Sequence, residues 1–402
     1  MDINWDKIKK IISSAKDLRH IAGANILGKI IVGIFWFYVA VLLGTENYGQ
    51  VSYFVAIGSM AAALAMVGAS NTISVYAAKK IPIQPAIYVI TLSFGLIAAA
   101  IVVIIHDSFE TGFFVIGYII FNLAITDLLG KKHYKKYSKI FILQKIVFVG
   151  SSLGLYFIFG FQGVILGYAV SFLVFSPIIF SGFKENPINF SILKNKLGFM
   201  LNNYAVSIER IFSGQLDKII IAPLFGFSTL GNFSLSIQFF SLLSILPAIV
   251  YQYTLSQDAS GNPSLLIKKL SIISSFIVAT LAFSLSPILI PLIFPQFTEA
   301  VELVQIISFV IIPHAFNATY TSKFLGNERA RIILVGQAIS ASTYIIGLFV
   351  LGGIFGINGV AFSLLISGPL VSPAKTTLFV VVKVSHATLD CGSTPKYLST
   401  TI

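Results

Sequence analysis

The sequence predicts an all-α integral membrane protein of about twelve transmembrane helices, arranged as two pseudo-symmetric six-helix lobes. Three observations predict it: the hydropathy, a one-sided distribution of basic residues, and an internal repeat. Of 402 residues, 56% are hydrophobic and 10% are charged, with a mean hydropathy of +0.91. An ordinary soluble domain carries about 25% charged residues. A crossing helix needs roughly 20 apolar residues. Runs that meet this fall at 21–43, 50–76, 85–105, 112–130, 140–159, 163–182, 202–224, 231–256, 270–294, 300–322, 332–353 and 357–382. Little chain is left for a soluble domain.

Charge then orients the helices. With the N-terminus inside, the inner segments hold all but five of the 27 Lys and Arg residues, and the outer loops hold none. The inner residues include Lys7, Lys9, Lys10, Lys16 and Arg19, the run from Lys131 to Lys139, and Lys323, Arg329 and Arg331. The outer loops carry Glu46, Asp107, Glu110 and Glu299. The positive-inside rule therefore places both termini in the cytoplasm. It also accounts for the net charge of +12 without a nucleic-acid partner.

The elements follow in order. Residues 1–20 form a polar, basic cytoplasmic segment with no cleavable signal pattern, so the first crossing is expected to be retained. The N-terminal lobe covers 21–182. A cytoplasmic amphipathic linker covers 183–201, where Phe190, Ile192, Leu193 and Leu197 alternate with Lys194 and Lys196. It reads as a short interfacial helix or as the start of the seventh crossing. The C-terminal lobe covers 202–383 and a cytoplasmic tail 384–402. Prolines at 223, 247, 287, 291, 313, 369 and 373 fall in apolar stretches of the second half, where they bend helices.

The lobes are drawn from a repeat. Leu43-Gly44-Thr-Glu-Asn-Tyr48-Gly49-Gln-Val-Ser52 matches Phe225-Gly226-Phe-Ser-Thr-Leu230-Gly231-Asn-Phe-Ser234. Phe159-Gly160-Phe-Gln-Gly163-Val164 matches Phe355-Gly356-Ile-Asn-Gly359-Val360. Six helices separate equivalent points, so both copies keep the same sidedness. That is a parallel repeat about an axis along the membrane normal.

Charges inside crossings are costly, and are usually functional or paired. Lys29 lies roughly 12 Å into the first crossing at 1.5 Å per residue, and Arg210 lies about as deep in the seventh. The seventh also holds Glu209, Asp217 and Lys218. Arg210, Asp217 and Lys218 share a face two turns apart. Such a helix is expected to line water or to pair internally. Two readings stay open: a cavity in which Lys29, Arg210, Lys218 and Asn25 bind substrate, or an ion-pair network that locks helix packing. Glu209, Asp217 and Asp127 are the ion-pair or coupling candidates, with Asp127 facing the Lys131–Lys136 cluster. Lys145 and Lys375 are expected to snorkel to the inner surface.

No catalytic set is visible. There is no P-loop, no HExxH, no nucleophile elbow and no outer loop with paired carboxylates. One cysteine, Cys391, excludes an internal disulfide, and the five histidines have no ligand spacing. No metal and no cofactor are expected.

The segment from Leu42 to Gly49, then Asp217-Lys218-Ile-Ile-Ile followed by Gly226 and Gly231, and the turns at Gly160–Gly163 and Gly356–Gly359 resemble prokaryotic polysaccharide biosynthesis proteins. These are the O-antigen flippases of the multidrug/oligosaccharidyl-lipid/polysaccharide (MOP) exporter superfamily. The resemblance covers roughly residues 20–382, and the tail from Ser385 departs from it. It implies a V of two lobes around a central cavity in the prokaryotic inner membrane. It also implies a monomer and a polyprenyl-diphosphate-linked oligosaccharide as cargo. Membrane lipids and polysaccharide assembly proteins are the implied partners. A MATE-like multidrug or cation antiporter of the same fold is the first alternative, but it would favour an acidic cavity. A membrane-embedded polysaccharide polymerase or transferase would need a long catalytic outer loop. A major-facilitator transporter would need an inner-loop signature that Lys79-Lys80-Ile-Pro-Ile-Gln lacks.

Overall fold

The structure is a computed structural model that describes residues 5–194, 196–259, 264–327 and 330–368. Among them it is helical, with no strand. The helices are α1 (Trp5–Ala65), α2 (Ala69–Ala78), α3 (Gln84–His106), α4 (Phe109–Gly130), α5 (Tyr134–Phe159), α6 (Phe161–Phe172), α7 (Ser176–Glu185) and α8 (Phe190–Lys194). They continue as α9 (Leu197–Phe225), α10 (Phe227–Leu243), α11 (Ile245–Ala259), α12 (Leu265–Ile293), α13 (Ala300–Ser308), α14 (Ile311–Gly326) and α15 (Ala330–Ser367).

Eight helical stretches of the described residues are long and apolar enough to cross a membrane, and a ninth if the bent pair α10–α11 is one span. The apolar part of α1, Ile21–Ala65, runs for 45 residues. That is about 68 Å at 1.5 Å per residue, twice a hydrocarbon core of about 30 Å. Its backbone breaks at Gly44 (φ 69°, ψ 179°), so it supplies two of the sequence's crossings. The long α15 breaks in the same way at Gly356. α9 carries four charges and is too polar to count as an apolar span, yet it is a continuous helix of 29 residues with Pro223 inside it. Each crossing read from the sequence thus has a helical counterpart. The last passes at residue 369 beyond the described residues.

The turns that match in sequence also match in backbone. Gly44 and Gly226 both hold positive φ, at 69° and 87°. Gly160 (φ 61°, ψ −141°) and Gly356 (φ 61°, ψ −144°) are nearly superposable in conformation. These are regions that a side chain disfavours, which explains why the repeat retains glycine at both pairs.

The chain divides into two compact units. The first holds the chain up to Gln238 together with Ile288–Val301, and the second holds Phe239–Pro287 and the described residues from Glu302 onward. This division by contact falls inside α10, beyond the linker at 183–201.

In lipid, helix association rests on close packing and hydrogen bonds, because the bilayer is as apolar as the side chains. The first unit uses small residues for this. In the α5–α6 hairpin the Ser151 hydroxyl donates to the Gly167 carbonyl at 2.7 Å, and Ser152 donates to Val164 at 3.1 Å. The second unit builds the equivalent hairpin within α15, with the partners exchanged. There Gly347 packs on Ser363, at the positions that Ser151 and Gly167 occupy in the repeat. Either order sets one glycine against one serine.

An aromatic chain crosses the first unit. Phe35 meets Phe148 at 4.3 Å between centroids, Phe148 meets Tyr168 at 4.1 Å, and Tyr168 meets Phe172 at 4.9 Å. It ties α1, α5 and α6 together, each pair contributing about 0.5–1.5 kcal/mol beyond area burial. Helix ends use ordinary chemistry. Ser108 caps α4 by accepting from the Thr111 amide, with Glu110 in the first turn. Pro85 opens α3 and Pro177 opens α7, where the missing N–H costs nothing. Among the described residues between α7 and α9, the linker holds the five-residue α8, with Leu193 buried and Phe190 exposed.

Candidate functional site

The candidate site is built on α1. Asn25, Lys29, Gly33 and Phe37 follow one another at steps of four, so they form a stripe that drifts about 40° per step at 3.6 residues per turn. At one end of it the Tyr137 hydroxyl of α5 donates to Asn25 Oδ1 at 2.9 Å. Further along, a Cβ on Gly33 would touch the Gln238 amide of α10 at 3.5 Å. The Phe37 ring lies 5.8 Å from that of Phe294. Lys29 stands between the α5 and α10 contacts, covered by neither, and is exposed. No carboxylate among the described residues lies within ion-pair distance of it.

A groove of about 440 Å³ between α1 and α5 is lined by Ile31, Ile34, Phe35, Tyr38, Val149 and Leu153. Lys29 lies about 180° around the helix from Tyr38. It therefore lies on the side of α1 opposite this groove.

Lys145 corrects the sequence expectation that it snorkels. It is only 8% exposed, and its Nζ lies 4.8 Å from the Phe141 ring and 5.4 Å from the Phe121 ring. The same Phe141 ring packs against Gly28, the neighbour of Lys29. Two ring faces hold the ammonium in place of water, an arrangement worth about 0.5–2 kcal/mol. Position along the helix alone misses this, because it does not show which rings surround the side chain.

The other candidates separate. Asp127 is buried and pairs with Lys131 at 2.9 Å, and Lys131 reaches Glu185 on α7 at 2.8 Å. This clamps the end of α4 to α7. Burial draws the Lys131 ammonium down, but hydrogen bonds to Glu185 and Asp127 outweigh it, so it keeps its proton above the ordinary lysine range. The contribution of the Lys131 charge is therefore fully present below the ordinary lysine range and is lost as pH rises through that higher value, while protonation of its carboxylate partners breaks the pair at low pH. On α9, Asp217 Oδ1 accepts from the Lys218 amide at 2.8 Å, and both side chains are half-buried. The side chains of Glu209 and Arg210 lie outside the described residues, as do Lys375 and Cys391. No described hydrogen bond or ion pair joins Lys29 to Lys218 or to Asp127.

Sequence reasoning missed one buried charge pair. In the second unit Lys268 Nζ lies 2.5 Å from Asp258 Oδ2, and the Ser322 hydroxyl donates to the same oxygen at 2.5 Å. The two charges lie ten residues apart in sequence, on α11 and α12, and that spacing is the available signal.

Removing the Tyr137 hydroxyl (Tyr137→Phe) is expected to cost about 1 kcal/mol, the net worth of one hydrogen bond. Thermal unfolding of the purified protein in detergent checks this. A loss above about 3 kcal/mol would mean that the ring also moves.

No family model matches the chain, and no curated protein matches it. Solved structures do match in fold. The lipid II flippase MurJ in an inward closed conformation aligns with a TM-score of 0.72 at 13% identity, over 90% of this chain and 87% of that one. An inward-facing multidrug resistance MATE family transporter of the MOP superfamily aligns at 0.63 and 14%, over 91% and 96%. The eukaryotic MATE transporter AtDTX14 aligns at 0.55 and 14%, over 92% and 96%. At such identities the likeness is one of fold: the chain is an all-α, multi-pass membrane protein with the architecture of these transporters.

Proposed function

We propose that the chain is a flippase for a polyprenyl-diphosphate-linked oligosaccharide. In this reading it moves the lipid by alternating access from the inner to the outer leaflet of a prokaryotic cytoplasmic membrane, with both termini inside. The observation that carries the reading is Lys29: an exposed cation inside an apolar helix, on the side opposite the apolar α1–α5 groove, with no described carboxylate to neutralise it. A diphosphate leaving water needs such a cation, and a charged hydrogen bond to phosphate contributes about 1.5–3 kcal/mol. Arg210 is assigned the matching role in the second half, where the repeat maps Lys29 to the adjacent position. Lys218 and Asn25 complete the polar lining, and Glu209, Asp217 and Asp127 are the coupling or packing carboxylates. The lobes at 21–182 and 202–383 are the moving bodies of this scheme, the linker at 183–201 joins them, and the monomer is the working form. The fold shared with a lipid II flippase supports a lipid-linked cargo, and the absence of a long outer loop disfavours a polymerase or transferase.

The test is complementation of a strain lacking its own oligosaccharide flippase. The wild-type chain is expected to restore surface glycan. The Lys29→Ala, Arg210→Ala double variant, inserted at the same level, is expected to lower it at least tenfold, while Lys29→Arg retains it. Full restoration by the double variant would overturn the reading. Sidedness has its own test: a cysteine placed at Lys135 in a Cys391→Ser background is expected to resist an impermeant label in intact cells.

A further inference from the structure

The second unit holds a cavity whose lining plays no part in the proposed flipping site. It measures about 470 Å³ and is lined by Phe283 of α12, Glu302, Gln305 and Ile306 of α13, Phe309 just beyond α13, and Phe362 of α15, with Asn358 and Leu365 completing it. That volume suits a small ligand.

Its hydrogen bonds decide what kind. The Asn358 amide nitrogen donates to Glu302 Oε2 at 2.9 Å, and the Gln305 amide nitrogen donates to the Phe283 carbonyl at 3.4 Å. Each amide orientation is fixed by its acceptor, because only the nitrogen end can face a carboxylate or a carbonyl. Both nitrogens are therefore turned to oxygens of the protein itself. Glu302 Oε1, Asn358 Oδ1 and Gln305 Oε1 take part in no hydrogen bond among the described residues. No described Lys or Arg pairs with Glu302, and the adjoining outer loops contain neither residue type.

The apolar part of the wall points the same way. Phe283 and Phe309 meet with centroids 5.6 Å apart, and Phe362 lies on α15 one turn beyond Asn358. Aromatic faces carry the negative end of the ring quadrupole. The cavity is thus lined by one carboxylate with no described Lys or Arg partner, two amides that each spend one N–H on the protein, and three phenyl rings. An anion would be repelled. A neutral sugar hydroxyl would donate to these oxygens but leave the Glu302 charge uncompensated. A small metal ion would leave the rings unused.

We infer that this cavity binds an organic ammonium group, with the charge on Glu302 and the substituents against Phe283, Phe309 and Phe362. The ammonium comes either from a free amine or from the headgroup of an aminated lipid. The inference goes beyond the flippase reading and does not depend on it.

The test uses the full chain in phosphatidylglycerol nanodiscs, with benzyltriethylammonium as probe and benzenesulfonate as matched anion, read by saturation-transfer NMR. The wild-type chain is expected to bind the cation saturably and the anion not at all. Glu302→Gln is expected to weaken cation binding at least tenfold, and Glu302→Asp less. Repeating the titration in nanodiscs containing phosphatidylethanolamine separates the sources. A right-shifted curve means that the lipid headgroup competes for the site, and an unchanged curve assigns the site to free amines. Equal affinity of wild type and Glu302→Gln, or equal binding of the anion, would overturn the inference as mere partitioning into apolar surface. If Glu302→Gln does not purify as a folded protein, Asn358→Leu and Phe362→Leu carry the same criterion. Glycan complementation plays no part in this readout, so either proposal can fail alone.

Discussion

Asp258→Ala is expected to destabilise the protein by about 3–5 kcal/mol, the cost of leaving a buried charge without its partner. Lys268 and Asp258 are each 9% exposed. Asp258 Oδ2 receives both the ammonium and the Ser322 hydroxyl, and Oδ1 is buried with no hydrogen-bond partner among the described residues. Removing the carboxylate strands Lys268 and orphans Ser322 together. Removing both charges is a different experiment. Asp258→Leu with Lys268→Met keeps much of the volume and avoids the desolvation of two ions, so the double variant is expected to recover most of the loss. Ser322→Ala alone is expected to cost about 1 kcal/mol. Unfolding in graded dodecyl sulfate, followed by loss of helical signal, reads all three variants against the wild type. A loss below about 1 kcal/mol for Asp258→Ala would mean that Lys268 straightens to the interface and leaves no charge buried.

This pair shows where the sequence stops speaking. Hydropathy and charge locate crossings because lipid imposes one rule on every helix: backbone groups are satisfied within it and cations stay on one side. The glycine turns are legible because positive φ excludes other side chains, so Gly44 and Gly226, or Gly160 and Gly356, survive as a visible repeat. Lys29 stands out in the sequence because a lone cation in an apolar run is costly in lipid and is usually functional or paired. Contacts between helices follow no such rule. Lys145 is expected to reach the surface from its position along α5, yet the faces of Phe121 and Phe141 enclose it. Lys268 counts as a topology signal until α11 and α12 fold back and bring Asp258 against it. The acceptor-rich cavity needs Glu302 and Asn358 to meet across 56 residues, which no periodicity encodes.

Gly49→Ala and Gly231→Ala are expected to be among the most damaging of the conservative substitutions in the first unit. A Cβ on Gly49 would run into the Phe227 carbonyl oxygen, and a Cβ on Gly231 would run into the Thr45 carbonyl oxygen. The two glycines occupy equivalent repeat positions, and each meets the turn that opens the other copy. The Ser228 hydroxyl donates to Thr45 Oγ1 at 3.0 Å beside them, so the approach is fixed by polar contact as well as by shape. Overpacking a core usually costs about 1–3 kcal/mol because side chains shift to relieve it. Here the obstacle is main chain, which cannot rotate away, and the expected loss is at or above the top of that range. The two clashes involve different carbonyls, so the double variant is expected to be no better than the worse single. Gly23→Ala and Gly154→Ala are the controls. A Cβ there meets nothing within 4 Å, and helical alanine is favoured over glycine by about 0.5–1 kcal/mol. Thermal unfolding of all five variants in one detergent decides the matter. Were Gly49→Ala and Gly231→Ala to melt with the controls, the two repeats would not be in backbone contact, and their shared glycines would serve only the turns.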